Sequence, residues 1–212
     1  MLRSLALSAF LVLVAPGFAQ FGASPMRTVL KKGDFSALAG ESSVMLVYSY
    51  ENMVVGKFTE EKYVEKKRKE HNEKEAGKGD SWAEKWVAAR ANVYEPRFEE
   101  LLNERLAKGK VALKAGRDKS DARYTIKVHT TDTEPGYNVG ISRMPGYITA
   151  TITLHETSAP DVALAEVEIQ RAPAQDAMGF DFDASGRIGE GYAKLGKEFG
   201  AWLTKKDWGR AD

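Results

Sequence analysis

Cysteine is absent from this 212-residue chain. Its absence excludes thiolate nucleophiles, disulfide frameworks, Cys-ligated zinc, iron–sulfur clusters and lipid attachment at a lipobox. Charge of one sign is lacking too: 31 Lys+Arg stand against 30 Asp+Glu, a formal net charge of +1, which leaves no basic excess to neutralise many phosphates. Nucleic acid is therefore not an expected partner. The 43% hydrophobic and 29% charged residues that are present make one globular domain, not a disordered chain or a multi-span membrane protein.

The N-terminus reads as an address and not as fold. Arg3 supplies a short positive region, Leu5 to Val14 an apolar run, and Gly17-Phe18-Ala19 small residues at the −3 and −1 positions before Gln20. The run falls short of the roughly 20 apolar residues that span a bilayer. The expectation is a signal peptide over 1–19, with no membrane span after cleavage and a periplasmic or secreted location. An exported chain without disulfides relies on its core, and about 190 residues can bury about 70% of the surface their unfolded chain exposes.

Residues 20–42 contain Gly22, Pro25 and Gly33 with little periodicity and read as an extended arm. Residues 43–212 read as a single α+β domain. Ser43 to Tyr50 has apolar residues on both alternating faces, as an interior strand would. Thr59-Glu60-Glu61 opens a charged helical insertion over 59–79, whose Lys and Glu residues pair along the helix. Trp82, Trp86, Ala89 and Val93 then recur at helical spacing, and Pro96 should kink or restart the helix before Phe98, Leu101, Leu102 and Leu106 continue the stripe. The tryptophans suit core packing better than carbohydrate stacking.

A short strand over Val111 to Ala115 follows. Three alternating strands come next, led by Tyr124, Ile126 and Val128, by Ile148, Ala150 and Ile152, and by Ala165, Val167 and Ile169. They predict an antiparallel meander with one wet face. The helical excursion can return the second strand parallel to the first, giving a mixed sheet packed against helices. The chain closes on an amphipathic helix from Gly186 to Lys205, which carries a second line of small residues: Gly189, Ala193, Gly196 and Gly200. Each interior glycine costs roughly 0.5–1 kcal/mol, so something must approach closely there, either the domain's own sheet or a second copy in a homo-oligomer.

Chemistry-bearing motifs are few. Asp181, Asp183 and Ser185 match the opening of a calcium loop, but Tyr192 stands where a bidentate Glu belongs, and helix capping is the stronger reading. His129 and His155, on polar strand faces near Asp132 and Glu156, could hold a metal if strand register brought them together. No nucleophile elbow, Walker loop or dinucleotide fingerprint is present, so neither a cofactor nor a catalytic residue is implied. The connection from Thr133 to Gly146 is longer than a hairpin needs. Its Tyr137, Asn138, Arg143 and Met144 combine aromatic, polar and basic contact chemistry.

The runs Tyr48-Ser49-Tyr50-Glu51-Asn52-Met53-Val54-Val55-Gly56-Lys57-Phe58, Thr133-Glu134-Pro135-Gly136-Tyr137-Asn138-Val139-Gly140 and Gly179-Phe180-Asp181-Phe182-Asp183 stand out. With Arg187-Ile188 and Tyr192-Ala193-Lys194-Leu195-Gly196-Lys197, they resemble an uncharacterised family of exported bacterial proteins, mostly of Bacteroidetes type. More loosely, the element order is similar to the N-terminal α/β module of TolB and to CsgG-like envelope proteins. The resemblance implies export and transfers no catalytic residue. The expectation is a non-enzymatic module that binds an unidentified cell-envelope protein; the alternative is a protein binding a small ligand or a metal.

Overall fold

A computed structural model describes residues 25–139, 142–175, 184–205 and 207–209. Residues 1–19, the expected signal peptide, lie outside the described residues. The first strand, β1 (Arg27–Lys32), falls within the expected arm and pairs antiparallel with the last strand, β10 (Ala163–Ala174). Its sequence hides this because a short edge strand rich in Lys and Arg shows no apolar period of two. β2 (Ser43–Ser49) is interior, flanked in parallel by β5 (Lys114–Gly116) and β6 (Tyr124–Glu134). Next to β6 runs β9 (Gly146–Glu156), antiparallel to both β6 and β10. The sheet order is β1-β10-β9-β6-β2-β5, so the meander and the parallel return both form as the alternation implies.

Between β2 and β5 the chain makes a two-residue pair of strands, β3 (Val54–Val55) and β4 (Phe58–Thr59). It then forms α1 (Glu60–Asn72), α2 (Lys78–Ala89), one π-helical turn (Arg90–Tyr94) and α3 (Glu95–Lys108). α1 buries no residue, and its Lys67 pairs with Glu70 at 2.9 Å, as a solvated helix should. Pro96 restarts the helical rod as its sequence implies, since the π turn ends at Tyr94 and α3 begins at Glu95. It sits in the first turn of α3, where proline's missing N–H costs little.

The final helix, α4 (Ala184–Lys205), is buried nearly all round, which a helix tolerates only when neighbours cover it on several sides. β9 and β10 take one side, where Ile148, Ala150, Ile152, Ala165, Val167 and Ile169 are all buried. α3 takes another. A Cβ at Gly196 would lie 2.3 Å from the Phe98 carbonyl oxygen, so the line of small residues exists to let α3 approach. The partner to that line is neither the sheet nor a second copy: Gly189 faces Val93 of the π turn, and Gly200 faces Arg105 and Leu102 of α3.

The helices cover one face of the sheet, and no described helix covers the other, where the turn after β9 shields Thr125 and His155 at one end. β2 shows the consequence. Val44 and Leu46 are buried, but Val47 on the opposite face is 38% exposed, so the strand is interior in the sheet without being buried on both sides. Two register shifts, between Thr130 and Asp132 on β6 and between Ile169 and Ala172 on β10, flip the inward parity so that Thr133 and Ala172 point to the core. No helix among the described residues is long and apolar enough to cross a membrane.

Candidate functional site

The long connection between β6 and β9 is shorter than its sequence suggests, because β6 extends to Glu134 and β9 begins at Gly146. Between them β7 (Tyr137–Asn138) and β8 (Arg143–Met144) form a separate two-stranded ladder. Tyr137 pairs with Met144 and Asn138 with Arg143, so the register brings all four sequence-predicted residues onto one hairpin. Gly136 makes its base possible: its φ is +59°, and a Cβ there would lie 2.4 Å from the Met144 carbonyl oxygen. Glu134 accepts the Gly136 N–H at 3.0 Å.

Arg187, in the first turn of α4 and only 5% exposed, fixes this base. Its Nε donates to the Pro135 carbonyl oxygen at 2.9 Å and its Nη2 to that of Gly136 at 3.2 Å. Beyond the clamp the hairpin is open. Tyr137 is 43% exposed, Met144 39% and Val139 64%, while the Tyr137 hydroxyl meets Ser142 Oγ at 3.2 Å and Arg143 reaches Gln175 Oε1 at 3.5 Å. The hairpin is thus anchored at its base and presents the apolar side chains of Tyr137, Val139 and Met144 to water.

The metal candidates do not converge. His155 pairs with Thr125, four residues along β6 from His129, which separates the two imidazoles' strand positions by about 13 Å. His129 Nδ1 lies 3.2 Å from Ser49 Oγ, and His155 Nε2 lies 2.8 Å from Thr153 Oγ1. Burial holds the His155 imidazole below its usual pKa, favouring the neutral ring. Asp181 and Asp183 lie outside the described residues; Ser185 sits in the first turn of α4. Among the described residues, no three His, Cys, Asp or Glu side chains gather as a metal site would require.

Sequence reasoning missed a polar cluster under the π turn. Glu60 at the start of α1 accepts from Trp86 Nε1 at 2.7 Å and from Arg90, whose guanidinium lies 4.2 Å from the Tyr50 ring centroid. Tyr94 stacks on Tyr192 with ring centroids 5.2 Å apart, and the Tyr192 hydroxyl bonds with Thr130. The extra residue of a π turn re-aims the side chains around it, here Arg90 and Tyr94 toward one point. Burial pushes the Tyr50 and Tyr192 hydroxyls well above the usual tyrosine range, so both stay protonated. The enclosed space is about 10 Å³, room for about one water and not for an organic ligand. The cluster is a joint between α1, α2, the end of β2, β6 and α4. Only Pro96, just downstream, marked the locality in the sequence.

The fold defines an α+β protein with a mixed six-stranded path, helices on one face and a clamped hairpin at one end. No family model matches the chain, and no curated protein matches it. Among solved structures it is similar to the PelC dodecamer from Paraburkholderia phytofirmans, at 11% identity and a TM-score of 0.35, over 80% of this chain and 97% of that one. A point variant of that dodecamer, in another crystal form, gives 12% identity and a TM-score of 0.34, over 81% and 97% of the two chains.

Proposed function

We propose that the protein is exported to the periplasm or beyond and acts there as a non-enzymatic interaction module, with the β7–β8 hairpin as its contact element. The observation that carries this reading is the contrast at the hairpin: a buried Arg187 holds its base while Tyr137, Val139 and Met144 face solvent. Preorganised apolar side chains lose little ordering entropy on docking, which is what a recognition loop needs. The Gly17-Phe18-Ala19 cleavage pattern and the resemblance to exported bacterial proteins support the location.

The test is affinity capture from a cell-envelope extract with the wild-type protein and with Tyr137→Ser/Met144→Ser, both checked for unchanged circular dichroism. Specific capture by the wild type and its loss in the variant is the expected result. Equal capture by both removes the hairpin from the interface. An N-terminus beginning at Met1 in protein recovered from the envelope fraction would overturn processing at Ala19.

A further inference from the structure

The sheet face away from the helices carries charges that meet no ion-pair partner among the described residues, among them Lys127 on β6 and Glu166 on β10, while Lys32 of β1, beside Glu166, donates to the Ala163 carbonyl oxygen at 2.7 Å. Register places them in one row: Lys127 and Glu166 both pair with Thr153 of β9, on its two sides. They are two strand spacings apart, about 10 Å, too far to bond each other. The next row repeats the order, with His129 and Glu168 on either side of Thr151, although Glu168 already accepts from Lys31 at 2.8 Å. Val47 and Ser49 of β2 extend the two rows on the basic side.

We propose that this face binds a second copy of the chain. Turning a copy over about an axis that runs along β9, midway between two stacked sheets, exchanges the β6 and β10 sides and keeps each row at its own height. Lys127 of each copy then lies over Glu166 of the other, and His129 over Glu168, while the threonines of β9 meet on the axis. The face is its own electrostatic complement in that orientation, the condition for an isologous two-fold interface. A different partner would have to present the same row order reversed. Five strands and the 11-residue length of β6 and β9 give a flat area of about 700 Å² per copy, close to the roughly 800 Å² per partner of a standard interface. The contact is separate from the β7–β8 hairpin.

Sedimentation velocity of the full chain from micromolar to sub-millimolar concentration should show a monomer–dimer equilibrium. Lys127→Glu or Glu166→Lys alone should weaken it roughly tenfold or more, and the two together should restore it. Tyr137→Ser should leave it unchanged, which separates this contact from the hairpin. Because the chain lacks cysteine, Thr153→Cys provides a single thiol on the axis, which a short bismaleimide should join to its twin; Lys197→Cys on α4 should stay unlinked. A monomer throughout the range, a double variant no better than the singles, or cross-linking through Lys197→Cys would each overturn the proposal.

Discussion

Arg187 of α4 and Pro135 at the foot of the hairpin are joined by a 2.9 Å hydrogen bond from a buried guanidinium Nε to a backbone carbonyl. The bond links the helix with the most buried residues among those described to an exposed hairpin. Arg187→Met keeps the length and apolar stem but leaves the Pro135 and Gly136 carbonyls without these donors. Each hydrogen bond from a charged group is worth about 1.5–3 kcal/mol. A loss of roughly 2–4 kcal/mol in urea unfolding is expected, with faster amide exchange over 137–144. Unchanged exchange there would mean that the hairpin's own ladder holds it.

Gly196 decides how closely α3 and α4 pack. In an exposed helix, glycine to alanine gains about 1 kcal/mol of helix propensity. Here the new methyl would lie 2.3 Å from the Phe98 carbonyl oxygen, and that is backbone, which cannot swing aside. Overpacking of this kind costs about 1–3 kcal/mol, so Gly196→Ala should destabilise in spite of its propensity. A stabilised variant in chemical denaturation would show the two helices free to separate.

The meander was legible because Ile126, Val128, Ile152, Leu154, Val167 and Ile169 alternate with polar residues over long strands, and burial of one face demands that period. The hairpin residues were legible as a group, since a connection that long between paired strands has to do something with its side chains. Three features were not. β1 is too short and too basic to show a period, and the register shifts at Thr130–Asp132 and Ile169–Ala172 depend on pairing, which composition does not encode. The cluster around Glu60 draws on α1, α2, β2, β6 and α4. Its members are scattered in the chain, and only the π turn, itself a product of tertiary packing, brings them together. The glycine line on α4 marks a close approach, but nothing in the sequence says that α3 is the neighbour.

His155 gives the protein a pH dependence of definite sign. Its folded pKa lies below the usual histidine value of about 6.5, mainly through burial, so the folded state binds the proton less readily than the unfolded chain. Above pH 6.5 both states are neutral at this residue and it imposes no penalty. As pH falls through 6.5 the unfolded chain takes up the proton first, and stability drops. His155→Gln should flatten the melting temperature between pH 7 and pH 5 relative to wild type. A wild-type profile as flat as the variant's would remove His155 as the cause.

Asp132 acts in the opposite direction. Burial, aided by nearby Glu134 and opposed by Arg171, raises its carboxyl above the usual aspartate value of about 3.8. A folded pKa above the unfolded one means that this group's contribution is fully present below pH 3.8 and is lost as pH rises through the folded value. At neutral pH the ionised side chain is therefore a liability, and Asp132→Asn should melt higher than wild type, with the gap closing in acid. A variant less stable than wild type at pH 7 would show that the carboxylate has a partner there that offsets its burial.

Two ion pairs separate a joint from a solvated surface. Glu60 accepts from both Arg90 and Trp86, and the Glu60 and Arg90 side chains are 15% and 22% exposed. Lys67 and Glu70 on α1 are 35% and 41% exposed. Exposed pairs are worth about 0–1 kcal/mol and fade in salt, whereas removing one member of a shielded pair strands the other and can cost about 3–5 kcal/mol when fully buried. Glu60→Ala should therefore cost roughly 2–4 kcal/mol, little changed by salt, and alter Trp86 fluorescence; Lys67→Ala should cost less than about 0.5 kcal/mol. Equal and small losses would mean that Arg90 finds water as good a partner as Glu60, and that the π turn is held by the stacking of Tyr94 on Tyr192 instead.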